Sequence, residues 1–211
     1  MTYNAVMDVA KPFAAVSAGV DVDVLVALAG STMPRSGREV ARRAGRSNTG
    51  VQHVLDRLVE HGLVDRLEAG RTFLYTLNRN HLLAPVVEQM AGVRVELIQR
   101  LRDGIGSWAT PAIHASLFGS AARGDGDTRS DIDLFVVRPA DVDADDHGWC
   151  EQVDRLGDAV RGWTGNNAGI AEVSEHELPR LRSDRPPVVE ELQRDAIELA
   201  GESTQALLRR T

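Results

Sequence analysis

Two aspartates, Asp131 and Asp133, stand one residue apart at the start of the hydrophobic stretch that ends at Val137. Side chains alternate between the two faces of an extended strand, so both carboxylates project to one face while Ile132 and Leu134 point to the other. Neighbouring carboxylates repel each other unless a cation neutralises them, and Mg²⁺ prefers such oxygen ligands. The pattern therefore predicts that Asp131 and Asp133 bind Mg²⁺.

A Gly-Ser pair, Gly119-Ser120, precedes these aspartates with ten residues in between and follows a stretch that alternates as a strand. A tight turn at Gly119 lets backbone N–H groups approach phosphate oxygens, and Ser120 adds a hydroxyl at a helix start, where anions are favoured. Arg123 and Arg129 are further candidates for phosphate contact. Metal ions held by shared carboxylates can orient a triphosphate and steady a leaving pyrophosphate. Together these residues predict a site for Mg²⁺ and a nucleotide.

The whole string from Gly119 to Val137, GSAARGDGDTRSDIDLFVV, resembles the minimal branch of the polymerase-β-like nucleotidyltransferases, which includes MNT-type antitoxins. The likeness spans roughly residues 112–201. It implies an α/β domain that transfers a nucleoside monophosphate from an NTP to a hydroxyl, with Asp131 and Asp133 as catalytic metal ligands. The residues that it implies for nucleotide binding are Gly119, Ser120, Arg123 and Ser130, and Gly124 also matches the branch.

The resemblance also implies a third carboxylate on a later strand, which completes the metal site and acts as the base for the attacking hydroxyl. The candidate strand covers residues 169–174, and the expected position falls near Ala171, which cannot serve. Glu172 is adjacent and is the predicted third catalytic residue, on condition that the strand register shifts by one, because neighbouring strand residues face opposite sides. Alternative acids are Asp154, Asp158 and Glu175.

The first half of the chain carries three short helical patterns followed by a hairpin pattern. Helices are predicted at 20–30, 36–45 and 47–62; Ser36 and Glu39 form a capping box for the second, and Gly45 and Gly62 end the second and third. The stretch 63–77 alternates on either side of a turn that contains Gly70. This arrangement resembles the winged helix-turn-helix of bacterial transcriptional regulators.

The third predicted helix begins with side chains that donate hydrogen bonds, as expected of a helix that enters a DNA major groove. These side chains are Arg46, Ser47, Asn48, Thr49, Gln52 and His53. Candidate phosphate contacts are Arg42, Arg43, Arg66 and Arg71. We therefore predict binding of double-stranded DNA, with protein contact or dimerisation alone as the alternative.

The formal net charge of −7 conceals an uneven distribution. Residues 1–100 carry 12 Lys+Arg against 10 Asp+Glu, whereas residues 101–211 carry 12 against 21. Between Arg35 and Arg79 there are 9 basic and 5 acidic residues. This asymmetry is consistent with nucleic acid on the basic side and a cation on the acidic side, although ordinary surface variation explains it as well.

The sequence as a whole predicts an α+β protein: a winged helix-turn-helix at 1–80, a single linker helix at 81–108 and a nucleotidyltransferase domain with a mixed sheet at 109–211. Cys150 is the single cysteine, which rules out an intrachain disulfide. No apolar run approaches the roughly 18 residues that a membrane span needs, and no signal peptide is recognisable. We therefore expect a cytoplasmic location without a membrane partner.

The sequence is compatible with three functions. The first is a Mg²⁺-dependent nucleotidyltransferase that also regulates transcription. The second is a regulator that senses a nucleotide without turning it over, and the third is an antitoxin-like protein that binds or modifies a toxin. An acceptor hydroxyl on a protein, an RNA or a small molecule fits the first function. A homodimer is expected, because winged-helix regulators usually read paired half-sites.

Overall fold

The computed structural model describes residues 7, 19–125 and 130–209. Contacts within the chain divide these residues into two compact units. One unit holds residues 19–93, and the other holds Met7 with residues 94–125 and 130–209. Among the described residues, no helix combines the length and the apolar character that crossing a membrane requires.

The first unit is a helical core closed by a small antiparallel sheet. Its elements are α1 (Val20–Ala29), β1 (Arg35–Ser36), α2 (Gly37–Ala44), α3 (Asn48–Glu60), β2 (Val64–Ala69), β3 (Thr72–Leu77) and α4 (Ala84–Ala91). The strand order is β1-β3-β2, and β2 and β3 form a hairpin, the wing, which turns at Gly70 and Arg71. The three helices and the wing confirm the predicted winged helix-turn-helix.

Local signals set the helix boundaries in this unit. The backbone N–H of Ser36 donates to Glu39 Oε2 at 2.9 Å, and the Ser36 hydroxyl accepts from the Glu39 N–H at 3.4 Å, which is the predicted capping box at the start of α2. Gly45 ends α2 with φ of 64°, a left-handed conformation that glycine adopts without strain. The hydroxyl of Ser47 caps α3 by accepting from the Gly50 N–H.

The structure has two helices where the sequence predicted a single helix at 81–108. Helix α4 ends before Gly92, and α5 (Val93–Gly106) begins after it. Glycine in a helix interior costs about 1 kcal/mol relative to alanine. The apolar stripe is also divided between two cores: Val87 packs in the first unit, whereas Leu97 and Leu101 pack in the second. A continuous stripe in the sequence therefore does not indicate one continuous helix here.

The second unit contains a four-stranded sheet with helices on both faces. Besides α5, its elements are β4 (His114–Phe118), α6 (Gly119–Arg123), β5 (Ile132–Arg138), α7 (His147–Thr164), β6 (Ala168–Ser174), a 3-10 helix (Glu175–Glu177), α8 (Leu178–Asp184), α9 (Pro187–Asp195), β7 (Ile197–Gly201) and α10 (Thr204–Arg209). The strand order is β6-β5-β4-β7, with β5 and β6 parallel and the other pairs antiparallel. The mixed sheet confirms the predicted fold class.

Side chains along β5 point alternately to the two faces of the sheet and therefore pack against different helices. Ile132, Leu134 and Val136 pack with α5 and α7 on one face of the sheet. Phe135 and Val137 pack with α8, α9 and α10 on the other face. Asp133 has the parity of Phe135, so its carboxylate projects toward the face that carries α8, α9 and α10.

Candidate nucleotide site and candidate DNA-binding surface

The carboxylate of Asp133 lies between two glycines. A Cβ placed on Gly119 would stand 2.5 Å from Asp133 Oδ2, and one placed on Gly169 would stand 3.0 Å from Asp133 Oδ1. Gly119 also has φ of +68°, which strains any residue with a side chain. Gly169 is the register partner of Asp133 on the parallel strand β6. The missing side chains at these two positions leave the space that the Asp133 carboxylate occupies.

Asp131 lies on the same side as Asp133, as the strand parity predicted. A Cβ on Gly169 would stand 3.8 Å from the Cβ of Asp131, so the side chains of both aspartates lie beside this glycine. Burial raises the pKa of Asp133, and the negative charges of Asp131 and Glu191 raise it further, while Arg123 acts in the opposite direction. Negative charge is therefore concentrated where a cation would relieve it.

The residues present fit a Mg²⁺ ion that arrives with a nucleotide. No group of three or more His, Cys, Asp and Glu side chains within the described residues is arranged to hold a metal ion by itself. Mg²⁺ is usually bound by one or two carboxylates together with water and substrate phosphates. Asp131 and Asp133 supply that number of carboxylates, so a bound triphosphate would have to supply the remaining non-water ligands.

Three of the residues predicted to bind nucleotide belong to α6, which is five residues long. Gly119 is buried at its start, Ser120 follows, and Arg123 is its last residue. Arg123 Nε pairs with Asp125 at 3.0 Å and its NH1 pairs with Asp195 at 2.9 Å. These carboxylates, Asp125 first, raise the pKa of Arg123. These two ion pairs hold the guanidinium of Arg123 at the end of α6.

Ser130 stands directly before Asp131, and its carbonyl accepts from Asn166 Nδ2 at 2.9 Å. The backbone N–H of Ile132 donates to the Asn167 carbonyl at 2.9 Å, which continues the connection between this segment and β6. Arg129, the other arginine considered for phosphate contact, lies outside the described residues.

Glu172 does not lie beside the aspartate pair, which corrects its predicted role as the third carboxylate. In the parallel register of β5 and β6, Glu172 is opposite Val136, whereas Asp133 is opposite Gly169. Glu172 is therefore three residues further along the sheet and on the opposite face. It forms an ion pair there, with Arg138 Nε 2.8 Å from Glu172 Oε1.

None of the three alternative acids lies on β6. Asp154 and Asp158 are exposed on α7, which covers the face opposite Asp133, and Glu175 lies in the 3-10 helix after β6. Ala171 does share the face of Asp133 but packs among apolar side chains. No residue of β6 therefore places a carboxylate beside Asp131 and Asp133.

The first unit carries a groove of about 930 Å³ between α3 and the wing. It is lined by four of the six predicted base-reading residues, together with residues of the wing and of the start of α2. Those that bear on DNA contact are Asn48, Thr49, Gln52, His53, Arg71 and Arg38. Gln52 is positioned by hydrogen bonds from its Nε2 to Tyr75 at 3.0 Å and to Asp56 at 2.9 Å. The groove thus brings most of the predicted DNA-binding residues together.

The remaining predicted DNA-binding residues make local contacts. Arg46 Nε pairs with Asp23 at 2.6 Å, and Ser47 is the cap of α3. The guanidinium of Arg66 lies 4.8 Å above the ring of Phe73, across the wing. Arg46 and Arg66 are both exposed, and neither lines the groove.

Two family models match separate parts of the chain. Residues 19–79 match the model described as the sugar-specific transcriptional regulator TrmB. Residues 96–161 match the model described as a nucleotidyltransferase domain, and this range contains the Gly119 turn and both aspartates. The chain joins a regulator-type winged helix to a nucleotidyltransferase domain.

Similarity to solved structures is low, and no curated protein matches the chain. Human N-acetylserotonin methyltransferase is 19% identical with a TM-score of 0.28, over 42% of this chain and 28% of that one. This chain thus spans less than a third of the length of that methyltransferase. A Sulfolobus solfataricus protein described as a candidate nucleotidyltransferase is 19% identical with a TM-score of 0.31, over 50% of this chain and 80% of that one.

Four residues that bear on the two sites were missed by the sequence reasoning: Gly169, Glu191, Asp195 and Arg38. Gly169 lies beside the aspartates because β6 pairs with β5, and the charge of Glu191 acts on Asp133 because of how α9 packs in the unit. No motif surrounds either of them in the sequence. Arg38 had a usable signal, because it follows the predicted cap Ser36 at the exposed start of a helix.

Proposed function

We propose that this chain is a DNA-binding transcriptional regulator whose nucleotidyltransferase unit transfers a nucleoside monophosphate from an NTP to a hydroxyl acceptor with the help of Mg²⁺. The observation that carries the proposal is the pair Asp131 and Asp133, placed on one side of β5 beside Gly169 and next to the Gly119 turn. A homodimer in the cytoplasm that reads paired half-sites is part of the same proposal.

The aspartate pair and helix α6 support the proposed nucleotide transfer. When bound, Mg²⁺ neutralises phosphate charge and favours departure of pyrophosphate. Asp131 and Asp133 are the residues that would hold it. The turn at Gly119 brings the start of α6 close to the carboxylate of Asp133, so α6 and the aspartates would border the same bound triphosphate. Ser120 and Arg123 on α6 are the side chains that would contact phosphate.

The winged helix supports the regulatory half of the proposal. Asn48, Gln52 and His53 are exposed on one side of α3, and Arg71 faces them from the wing. Amide side chains can read base edges, and arginine contacts phosphate or guanine. Residues 101–211 carry 21 Asp+Glu against 12 Lys+Arg, whereas residues 35–79 carry 9 basic against 5 acidic residues, which makes the segment 35–79 the favoured DNA surface.

The transfer reaction is tested with ATP and the other NTPs labelled at the α-phosphate, in the presence of Mg²⁺. Transfer of label and release of pyrophosphate are followed with water, total RNA and the protein itself as acceptors. Asp131→Asn and Asp133→Asn keep the side-chain shape but remove the charge, so each is expected to lower the rate at least 100-fold. Asp145→Asn, in the exposed loop before α7, is the matched control and should retain the wild-type rate.

A second function is favoured by one specific observation, the lack of a carboxylate on β6 beside the pair. In that case the unit senses Mg²⁺-nucleotide and does not turn it over. Wild-type protein that binds Mg²⁺-ATP in calorimetry, loses this binding in Asp133→Asn and releases no pyrophosphate would establish the sensor and exclude the enzyme. Label found on a toxin encoded beside this chain would instead indicate the antitoxin-like function.

A further inference from the structure

The amide of Gln52 is held in the groove between α3 and the wing by two hydrogen bonds. Its Nε2 donates to Asp56 Oδ1 at 2.9 Å, one turn further along α3, and to the Tyr75 hydroxyl at 3.0 Å, on β3. Gln52 and Asp56 are exposed, whereas Tyr75 is 2% exposed and packs in the core of the first unit. The amide is therefore attached to the buried wall of the groove as well as to its own helix.

The chemistry of these two partners fixes which way the amide points. An ionised carboxylate only accepts hydrogen bonds, so the amide atom that faces Asp56 is Nε2 and not Oε1. The amide nitrogen carries two N–H groups and does not accept, so the Tyr75 hydroxyl accepts from the second of them. Both donors of the Gln52 amide are used in this way, and only Oε1 remains to bind a molecule in the groove.

The carbonyl oxygen Oε1 lies beside Gly37, the first residue of α2. A Cβ placed on Gly37 would stand 3.2 Å from Oε1, which is a close contact. Gly37 and Gln52 both line the groove, so the missing side chain leaves space around Oε1 there. Among the described residues, none donates a hydrogen bond to Oε1. The groove thus presents a single acceptor at this point.

A single acceptor reads base edges differently from a complete amide. A complete amide pairs with adenine twice, because it accepts from N6 and donates to N7. Oε1 alone accepts from N6 of adenine or from N4 of cytosine, whereas guanine and thymine present acceptors in the major groove. DNA that covers the groove favours this arrangement, because an Asp56 carboxylate that lost its donor on burial would cost free energy.

We propose that Gln52 selects adenine or cytosine at one position of the DNA site, and that Tyr75 and Asp56 are positioning residues that set this selectivity by occupying Nε2. The inference rests on the proposed DNA binding and is independent of the proposed nucleotide transfer. Removal of either partner frees an N–H group of Gln52. The amide can then pair with N6 and N7 of adenine together, so the preference narrows to adenine.

The test selects binding sites for the full chain from duplex DNA with a randomised core and compares the bases recovered at each position. The wild type is expected to enrich adenine and cytosine over guanine and thymine about tenfold at one position, a typical cost of a mismatched base. Gln52→Ala should remove this enrichment. Tyr75→Phe, which keeps the buried ring, and Asp56→Ala should each narrow it to adenine.

Glu60→Ala is the matched control for Asp56→Ala. Glu60 is the last residue of α3, is exposed and does not line the groove, so its removal takes the same charge from the same helix. Glu60→Ala should keep the preference for adenine or cytosine. The preference is a ratio among bound sequences, so it does not depend on how much of a variant is folded.

Other results overturn the inference in distinguishable ways. A wild-type preference for adenine alone would show that Nε2 is free to read the base. A preference that Gln52→Ala leaves unchanged at every position would exclude Gln52 as a reader, and one that both Tyr75→Phe and Asp56→Ala leave unchanged would exclude their positioning role. A wild type that binds duplex DNA without enriching any base overturns the inference alone, whereas one that binds no DNA at low salt overturns the proposed DNA binding as well.

Discussion

The aspartate site depends on two residues that have no side chain, Gly119 and Gly169. Their contact distances to Asp133 leave no room for a methyl group at Gly119 and very little at Gly169. The two positions differ in kind: Gly119 needs a left-handed backbone conformation as well as space, whereas Gly169 needs only space. A substitution at Gly119 therefore affects both the stability of the unit and the position of the carboxylate.

Gly119→Ala is expected to abolish Mg²⁺-ATP binding. Its left-handed φ costs roughly 1–2 kcal/mol with any side chain, and the added methyl group displaces Asp133 Oδ2. Gly45→Ala is the matched control, because Gly45 has φ of +64° and no atom within 4 Å of the added Cβ. It should lose similar stability but keep full binding. Calorimetry and urea unfolding measure the two effects, and normal binding by Gly119→Ala would contradict this description of the site.

At the scale of elements, local signals predicted the winged helix, and tertiary contacts decided the details of the second unit. The capping box at Ser36 and the turn at Gly70 are readable because their partners lie within a few residues. The position of Glu172 depends on the register of β6 against β5, which no local signal specifies. The aspartates and the turn could be identified from the sequence, but the charge of Glu191 that acts on Asp133 could not, because only tertiary packing brings the two residues within electrostatic range.

Strand β4 is tied to the end of β7 by a buried histidine, His114. Its Nδ1 donates to the Glu202 carbonyl at 2.6 Å, and its Nε2 lies 2.9 Å from the Ser116 hydroxyl, an arrangement that suits the neutral ring. Burial lowers the pKa of His114, and the hydrogen bond to Glu202 offsets this only in part. The folded protein therefore binds fewer protons here than the unfolded chain does once the pH falls below about 6.5.

Because the unfolded chain binds more protons at this site at low pH, acidification favours unfolding. The contribution of His114 to the free energy of unfolding is therefore complete above about pH 6.5, and it decreases below that pH by at most about 1.4 kcal/mol per pH unit. Urea unfolding of the second unit at about pH 7 and about pH 5 measures the loss. His114→Gln, which does not titrate, should be less stable at neutral pH but should show a smaller further loss on acidification. An equal loss in both proteins would show that other groups cause the pH dependence.

At the scale of the whole molecule, basic residues are in excess in the segment 35–79 and acidic residues are in excess in residues 101–211. The net charge of −7 disfavours DNA at long range, but residues 35–79 carry 9 basic against 5 acidic residues. Charges separated by more than about 10 Å are largely screened at ordinary salt. DNA binding should therefore be governed by the local charge around α3 and the wing, and its affinity should fall steeply with salt.

We expect the full chain to shift promoter-upstream duplex DNA in a gel at low salt. Arg71→Ala removes the phosphate contact that we predict in the groove and should reduce the slope of log affinity against log salt by about one. Arg79→Ala removes the same charge outside the groove, where Arg79 is paired with Glu88 at 2.9 Å, and should leave the slope unchanged. Equal effects of the two substitutions would mean that DNA affinity depends only on the net charge of the protein.

If Mg²⁺-ATP changes the DNA affinity of the wild type by some factor, DNA must change the Mg²⁺-ATP affinity by the same factor, because coupling between two binding sites is reciprocal.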